Sequence, residues 1–236
     1  MDESTMDEAA RAALADITAM RRERFAVTAS VFDREMPEAT VRSMVEAACQ
    51  MAGGLDDSAE GRLGAALAAL ACNDMTALST LTRTEYARLF IGPREVVAPL
   101  HESAWRSGTA RMFTAETLAV RKFYESHGCI LKAKNREPED AIGTELEFMR
   151  NLCDGVLAAL GDDGTVPDCL VAEGLLRAQR TFADQHLDRW AERFAERVRE
   201  SDRSGFYAAW AGYLDEVLAE DARLLQDSER LVRCEG

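Results

Sequence analysis

Three histidines (His101, His127 and His186) and six cysteines are the residues best able to do chemistry in this chain, and their spacing tests each kind of site in turn. A di-iron bundle needs Glu three residues before His on two of its helices. Here those positions hold Ala98, Tyr124 and Ala183. A zinc protease needs His-Glu-x-x-His, and a phosphate-cradling loop needs Gly-Lys-Ser/Thr. The first motif is absent, and Lys122, Lys132 and Lys134 follow Arg121, Leu131 and Ala133, so the second is absent too. The cysteines Cys49, Cys72, Cys129, Cys153, Cys169 and Cys234 form no CxxC pair or metal-ligand spacing, and read as free thiols of a reducing compartment. Spacing alone does not decide a Cys–His nucleophile, whose members meet in space, but no local signature marks one.

The histidines divide by context. His186 lies four residues after Phe182 and four before Trp190, a core-edge position on an apolar helix face. His127 precedes Gly128 at a helix C-terminus, where an imidazole suits the dipole. His101 stands in irregular sequence beside Glu102, Ser103 and Trp105, where binding residues concentrate. A small metal-binding helical enzyme using His101, Glu102 and Glu145 is therefore the rival to any binding function.

The elements that must position these residues are helices. Five prolines (Pro37, Pro93, Pro99, Pro138 and Pro167) each fall between helical patterns. The apolar spacing predicts a helix over about Met6 to Phe32, a second opened by Pro37 and running through Val41, Val45 and Cys49, and a break at Gly53-Gly54. A third, capped by Asp56 to Ser58, carries Leu63, Leu67 and Leu70, and a fourth runs from Asn73-Asp74 through Leu78, Leu81 and Tyr86 to Phe90. From Gly92 to about Gly108 the period fails, leaving a long irregular loop. A helix over about Thr114 to Ser126 precedes a basic loop around Lys132 to Arg136. The clearest amphipathic stripe follows, with Ile142, Leu146, Met149, Cys153, Val156 and Leu160 alternating spacings of four and three. Two long helices close the chain, one carrying Phe182, Trp190, Phe194 and Val198, the other Tyr207, Trp210, Leu214, Val217 and Leu225. The sequence thus predicts an all-α fold: one helical bundle of about eight to ten helices, in a single domain over residues 1–236.

Composition narrows the partners. The 236 residues carry 28 Lys+Arg against 42 Asp+Glu, a net charge of −14. That balance argues against nucleic acid, whose phosphates are neutralised by Lys and Arg, and favours a cationic partner. Arg dominates the basic residues and is interleaved with Glu and Asp, the mark of a solvated helix surface; Arg21-Arg22 reads the same way. The acidic Met1-Asp2-Glu3-Ser4 start is followed by no signal-type apolar segment, and the run Leu63 to Cys72 is half the length a membrane span needs. A cytoplasmic protein without stable membrane insertion is expected, as monomer or dimer.

Two patches carry more specific information. Glu85-Tyr86-Ala87-Arg88-Leu89-Phe90-Ile91-Gly92-Pro93 runs into Ala98-Pro99-Leu100-His101-Glu102-Ser103-Ala104-Trp105, and the second patch reads Glu137-Pro138-Glu139-Asp140-Ala141-Ile142-Gly143-Thr144-Glu145-Leu146-Glu147-Phe148-Met149. In order and spacing they resemble the TorD/DmsD/NarJ family of redox-enzyme maturation chaperones. The resemblance implies an all-helical cytoplasmic chaperone without catalytic activity, metal or cofactor. It would bind the twin-arginine signal peptide, or a comparable N-terminal segment, of a molybdenum-cofactor oxidoreductase subunit. An assembly factor that binds the folded subunit of a non-exported oxidoreductase is the alternative within the same family.

Carried over by motif, the peptide groove would use Leu89, Phe90, Gly92, Pro93, Pro99, Ser103 and Trp105 from the first patch, and Glu137, Pro138, Asp140 and Glu145 from the second. Ala141 stands where the family commonly has His, so no imidazole grips a peptide there, and Leu100-His101 occupies a loop position often aromatic or Pro. The chemistry is coherent, since two arginines followed by an apolar segment require carboxylates beside an apolar groove. Asp140, Glu145, Glu102 and Glu85 supply the first; Leu89, Phe90, Leu100 and Trp105 supply the second. The plainer reading makes Pro138 and Glu139 helix-start residues, and Leu89 and Phe90 core.

Overall fold

The computed structural model describes residues 6–51, 56–92, 96–107, 114–129, 138–161 and 166–233. They form ten α-helices: α1 (Glu8–Asp33), α2 (Glu38–Met51), α3 (Ala59–Ala69), α4 (Met75–Tyr86), α5 (Glu102–Arg106), α6 (Ala115–Ser126), α7 (Ile142–Leu160), α8 (Cys169–Gln185), α9 (Ala191–Ser201) and α10 (Phe206–Leu231). Among the described residues the sole β-type pairing is an isolated antiparallel bridge between His101 and Ala141. None of these helices is long and apolar enough to cross a membrane.

Local chemistry sets many of the boundaries. Side chains of Ser58, Asp74 and Asp168 accept the amides of Gly61, Thr76 and Val171 at 3.1, 2.9 and 3.0 Å, satisfying N–H groups that the first turns of α3, α4 and α8 leave without helical partners. At the far end of α7, Gly161 takes φ +65°, a conformation that costs other residues a steric penalty.

The long helix α1 packs along α7 and α10, while α8 and α9 close the bundle on the other side. Successive turns of α1 place Phe25, Ala29 and Phe32 in the main core beside Leu146 and Met149 of α7 and Tyr207 and Leu214 of α10. A second apolar cluster joins Leu14 to Val156, Leu176 and Leu225 toward the other end of the same helices. The contact between α1 and α7 is close because residue 143 is Gly: a Cβ there would lie 3.2 Å from the Ala29 carbonyl oxygen and 3.3 Å from Asp33 Cα.

Three features differ from the sequence reading. The irregular stretch contains α5, a short helix starting at Glu102, although its neighbours 93–95 and 108–113 lie outside the described residues, as do Gly53-Gly54 and the basic loop. The single helix expected from Phe182 to Val198 is two, because the chain leaves helical geometry at His186 (φ −122°, ψ −84°) and makes one tight turn before α9. Tertiary bonding imposes that break, since no Gly or Pro marks it. Finally, Arg21 is not a surface residue. Its Nε and Nη2 donate to the two Asp221 carboxylate oxygens at 2.6 and 3.1 Å between α1 and α10, and Arg24 beside it is also buried, against Glu60 and Glu220. Part of the Arg/acid interleaving is therefore internal wiring.

Candidate functional site

The first patch begins at the end of α4. Glu85 is buried and accepts Arg88 Nε at 2.7 Å and the Arg203 amide at 2.9 Å, while Arg88 donates to the Ser201 carbonyl at 2.5 Å. Glu85 thus ties α4 to the corner between α9 and α10. Burial pushes its carboxyl up, yet the Arg88 and Arg203 bonds prevail and hold it below the usual glutamate range.

After Tyr86 the chain widens into a π-type turn over Ala87–Ile91, which ends at Gly92 (φ +56°) with the Gly92 amide on the Ala87 carbonyl at 2.6 Å. The extra residue in this turn lets consecutive Leu89 and Phe90 both enter the core. Phe90 meets Tyr86 and Tyr207 edge-on with ring centroids 5.1 and 5.3 Å apart. Both residues are therefore packing residues of the bundle.

The two patches are bonded to each other. The Glu102 amide donates to the Asp140 carbonyl and the Ile142 amide to the Leu100 carbonyl, each at 2.8 Å, so the starts of α5 and α7 lie side by side around the His101–Ala141 bridge. Asp140 continues the arrangement with its side chain: Oδ2 accepts the Ser103 amide at 2.8 Å and Oδ1 accepts the Thr117 hydroxyl at 3.1 Å. α5 has no cap of its own, and Asp140 supplies one from another part of the chain. Next to it, Glu139 is paired with Arg121 at 2.7 Å and receives the Tyr124 hydroxyl on its carbonyl, and Pro138 is buried.

Below this junction lies a pocket of carboxylates closed to water: Glu102, Asp140 and Glu145 are each 0% exposed. Glu102 accepts from Arg106 and pairs with His186 Nδ1 at 2.9 Å, the bond that draws the chain out of α8. Glu145 Oε2 accepts Trp190 Nε1 at 3.2 Å. Burial, then the neighbouring Glu102 and Asp140 carboxylates, push the Glu145 carboxyl well above the usual range, against the Trp190 bond that lowers it. Hydrogen bonds with Arg106, His186, Trp190, Thr117 and the Ser103 amide hold the three carboxyl groups in this enclosed space. No group of His, Cys, Asp or Glu among the described residues has a metal-holding arrangement, so His101, Glu102 and Glu145 do not form the centre that the rival reading needed.

Within the first patch Ala87 and Ile91 are exposed, and Pro99, Leu100, His101 and Trp105 are half-buried. Trp105 donates Nε1 to the Pro99 carbonyl at 2.7 Å, packs edge-on to Phe194 and lies under the Arg193 guanidinium at 5.7 Å. Of the residues singled out from sequence, Pro93 and Glu137 lie outside the described residues. Glu102, Ser103, Pro138, Asp140 and Glu145 are brought together, but inside the protein; Glu85, Leu89 and Phe90 lie in a neighbouring part of the core.

Sequence reasoning missed His186, Trp190, Thr117 and Arg106 as partners of this cluster; the apolar flanks of His186 pointed to burial, and nothing pointed to Glu102. It also passed over an open hollow of about 540 Å³ between the end of α1, the start of α2 and α7, with Asp33 and Glu147 on its lining.

Comparison with known proteins agrees with these motifs. The family model described as "Nitrate reductase delta subunit" matches residues 54–196, a span containing both patches. The Chaperone protein TorD of Aliivibrio fischeri is 28% identical over 141 residues, 60% of this chain and 62% of that protein. The selenate reductase assembly chaperone protein of Thauera selenatis is 32% identical over 149 residues, 62% of this chain and 72% of that protein. The probable Tat proofreading chaperone DmsD of Haemophilus influenzae is 30% identical over 127 residues, 54% and 53% of the two chains. The matched region thus spans about three-fifths of the first of these relatives and about half of the last, and all three are named as chaperones. With the family model covering well over half of its length, and both motifs inside the match, the chain belongs to the nitrate reductase delta subunit family, which includes the TorD- and DmsD-type redox-enzyme maturation chaperones.

Proposed function

We propose that this protein is a cytoplasmic, single-domain chaperone that binds the N-terminal twin-arginine signal peptide of a molybdenum-cofactor oxidoreductase subunit and holds that subunit for cofactor insertion before export. The observation that carries the reading is the family match over residues 54–196, supported by relatives named for chaperoning and twin-arginine proofreading. The geometry is consistent with a binding protein: the buried cluster of Glu102, Asp140 and Glu145 is engaged in holding α5, α7 and the α8–α9 turn together. Half-buried Pro99, Leu100, His101 and Trp105 reach solvent from the motif region, alongside exposed Ile91. A net charge of −14 favours a di-arginine ligand over an anionic one.

Calorimetry of the protein against a panel of twin-arginine signal peptides from oxidoreductase subunits tests the reading. Binding that weakens as salt rises is the expected result; a panel with no binder overturns it. The match to a model described as a nitrate reductase subunit favours a second reading, an assembly factor for a folded, non-exported subunit. A complex that survives deletion of the client's N-terminus supports this second reading over the first.

A further inference from the structure

The proposed peptide binding uses none of the six cysteines, and their environments differ sharply. Cys153 is buried, and Cys129 and Cys169 are half-buried. Burial pushes the Cys129 thiol up and that of Cys153 to about 12, so neither supplies much thiolate, the species that reacts. Among the described residues only Cys49 and Cys72 are exposed cysteines.

These two are far apart in sequence, yet the packing of α2 on α3 brings both to the last turn of α3. Cys49, near the end of α2, donates its thiol to the Ala68 carbonyl at 3.9 Å, and Cys72 donates to the Ala69 carbonyl at 3.0 Å. Leu70–Cys72 continue α3 as a single tight 3-10 turn. At a helix end of this kind a carbonyl aims at the backbone three or four residues on, so those of Ala68 and Ala69 are both directed toward residues 71 and 72. The Cys49 thiol therefore rests on an oxygen that points to Cys72, and the Cys72 thiol is bent back onto the adjacent one. A disulfide needs Cα atoms within about 7 Å of each other. Both cysteines stand where small adjustments disturb little: Cys72 lies between exposed Ala71 and Asn73, and Cys49 is in the final turn of α2.

We propose that Cys49 and Cys72 form a redox pair, which a low-molecular-weight disulfide such as oxidised glutathione converts to a Cys49–Cys72 bridge and which excess thiol reopens. One protein thiolate attacks a sulfur of the glutathione disulfide, giving a mixed disulfide and one glutathione thiolate. The second protein thiolate then displaces the other glutathione. Two S–H bonds of the protein give one S–S bond, and the two electrons and two protons leave on two molecules of glutathione. The bridge staples the end of α2 to the turn that follows α3. Exposure and reversibility match the transient, sensing use of disulfides in reducing compartments.

The test uses the full chain, reduced and then equilibrated in glutathione mixtures of rising oxidised fraction. Acid quenching, alkylation and peptide mapping by mass spectrometry read the state of each cysteine. The expected product is a pair of peptides joined through Cys49 and Cys72, lighter by two hydrogens, with Cys129, Cys153 and Cys169 still free to alkylate. Dithiothreitol should reverse it. Because the bridge restricts the unfolded chain, the oxidised protein should unfold at a urea concentration about 1 M higher than the reduced one. Cys49→Ser and Cys72→Ser, with the fold checked by circular dichroism, should each carry glutathione on the remaining partner and lose the midpoint shift. Separate glutathione adducts on Cys49 and Cys72 of the wild type, with no link between them, overturn the proposal. So does a wild type in which both stay as thiols across the whole series.

Discussion

Removing the Asp140 carboxylate should cost stability before it costs binding, and the size of the loss follows from its two bonds. In Asp140→Ala the Ser103 amide, held at 2.8 Å, and the Thr117 hydroxyl, held at 3.1 Å, lose their acceptor in a region without access to water. A buried donor left unsatisfied costs about 1–3 kcal/mol. The hydroxyl can rotate and recovers part of its share, whereas the amide at the start of α5 cannot. We expect a total of about 2–4 kcal/mol, a large fraction of the roughly 5–15 kcal/mol that holds a protein folded.

Asp140→Asn keeps one carbonyl oxygen for the Ser103 amide and turns an NH2 group toward the Thr117 hydroxyl, which can accept it; about 1 kcal/mol is the expected cost. Urea unfolding followed by circular dichroism measures both variants. An Ala variant within about 0.5 kcal/mol of wild type would refute the capping role, since changes of that size are typical of surface positions. Equal losses in Ala and Asn would refute it differently, by showing that charge rather than hydrogen bonding matters. The Asn variant also separates structure from contact: it should retain signal-peptide affinity, and a stable Asn variant with a tenfold loss would place Asp140 on the peptide.

Other consequences follow from the same geometry. Glu145, raised well above the ordinary range by burial and by Glu102 and Asp140, holds in the folded state a proton that the unfolded chain releases. Its contribution is fully present below the unfolded pKa and is lost as pH rises through the folded one, so Glu145→Gln should flatten that decline in unfolding free energy measured across a pH series. Asp221→Ala leaves Arg21 charged and unpaired between α1 and α10, and should cost about 3–5 kcal/mol; adding Arg21→Met should recover much of it in a double-mutant cycle. Alkylation followed by mass spectrometry should label the exposed Cys49 and Cys72 in the native protein, and Cys153 only after denaturation. Burial closes access to Cys153 and pushes its thiol up to about 12.

The helices were largely legible because their causes are local. The stripe from Ile142 to Leu160 names the buried face of α7, and Ser58 and Asp74 announce helix starts that their own side chains cap. The break at His186 was not legible, since its cause is Glu102, far away in sequence. Arg21 fails for the same reason: beside Arg22 in an Arg-rich stretch it reads as surface, and only the packing of α10 brings Asp221 to it.

The site shows the same division more sharply. Residue types and their order were enough to point to the family, to exclude the metal and phosphate motifs tested, and to mark Glu85, Glu102, Asp140 and Glu145 as candidate peptide-binding carboxylates, because motif order and helical periodicity are properties of the chain itself. Whether a carboxyl meets a ligand or the protein's own interior depends on what packs over it. Tertiary structure alone closed α5, α6 and the α8–α9 turn over Glu102, Asp140 and Glu145 and buried Glu85 against the corner between α9 and α10. A burial decision of this kind is made by contacts between segments distant in sequence, and spacing along one segment carries no record of them.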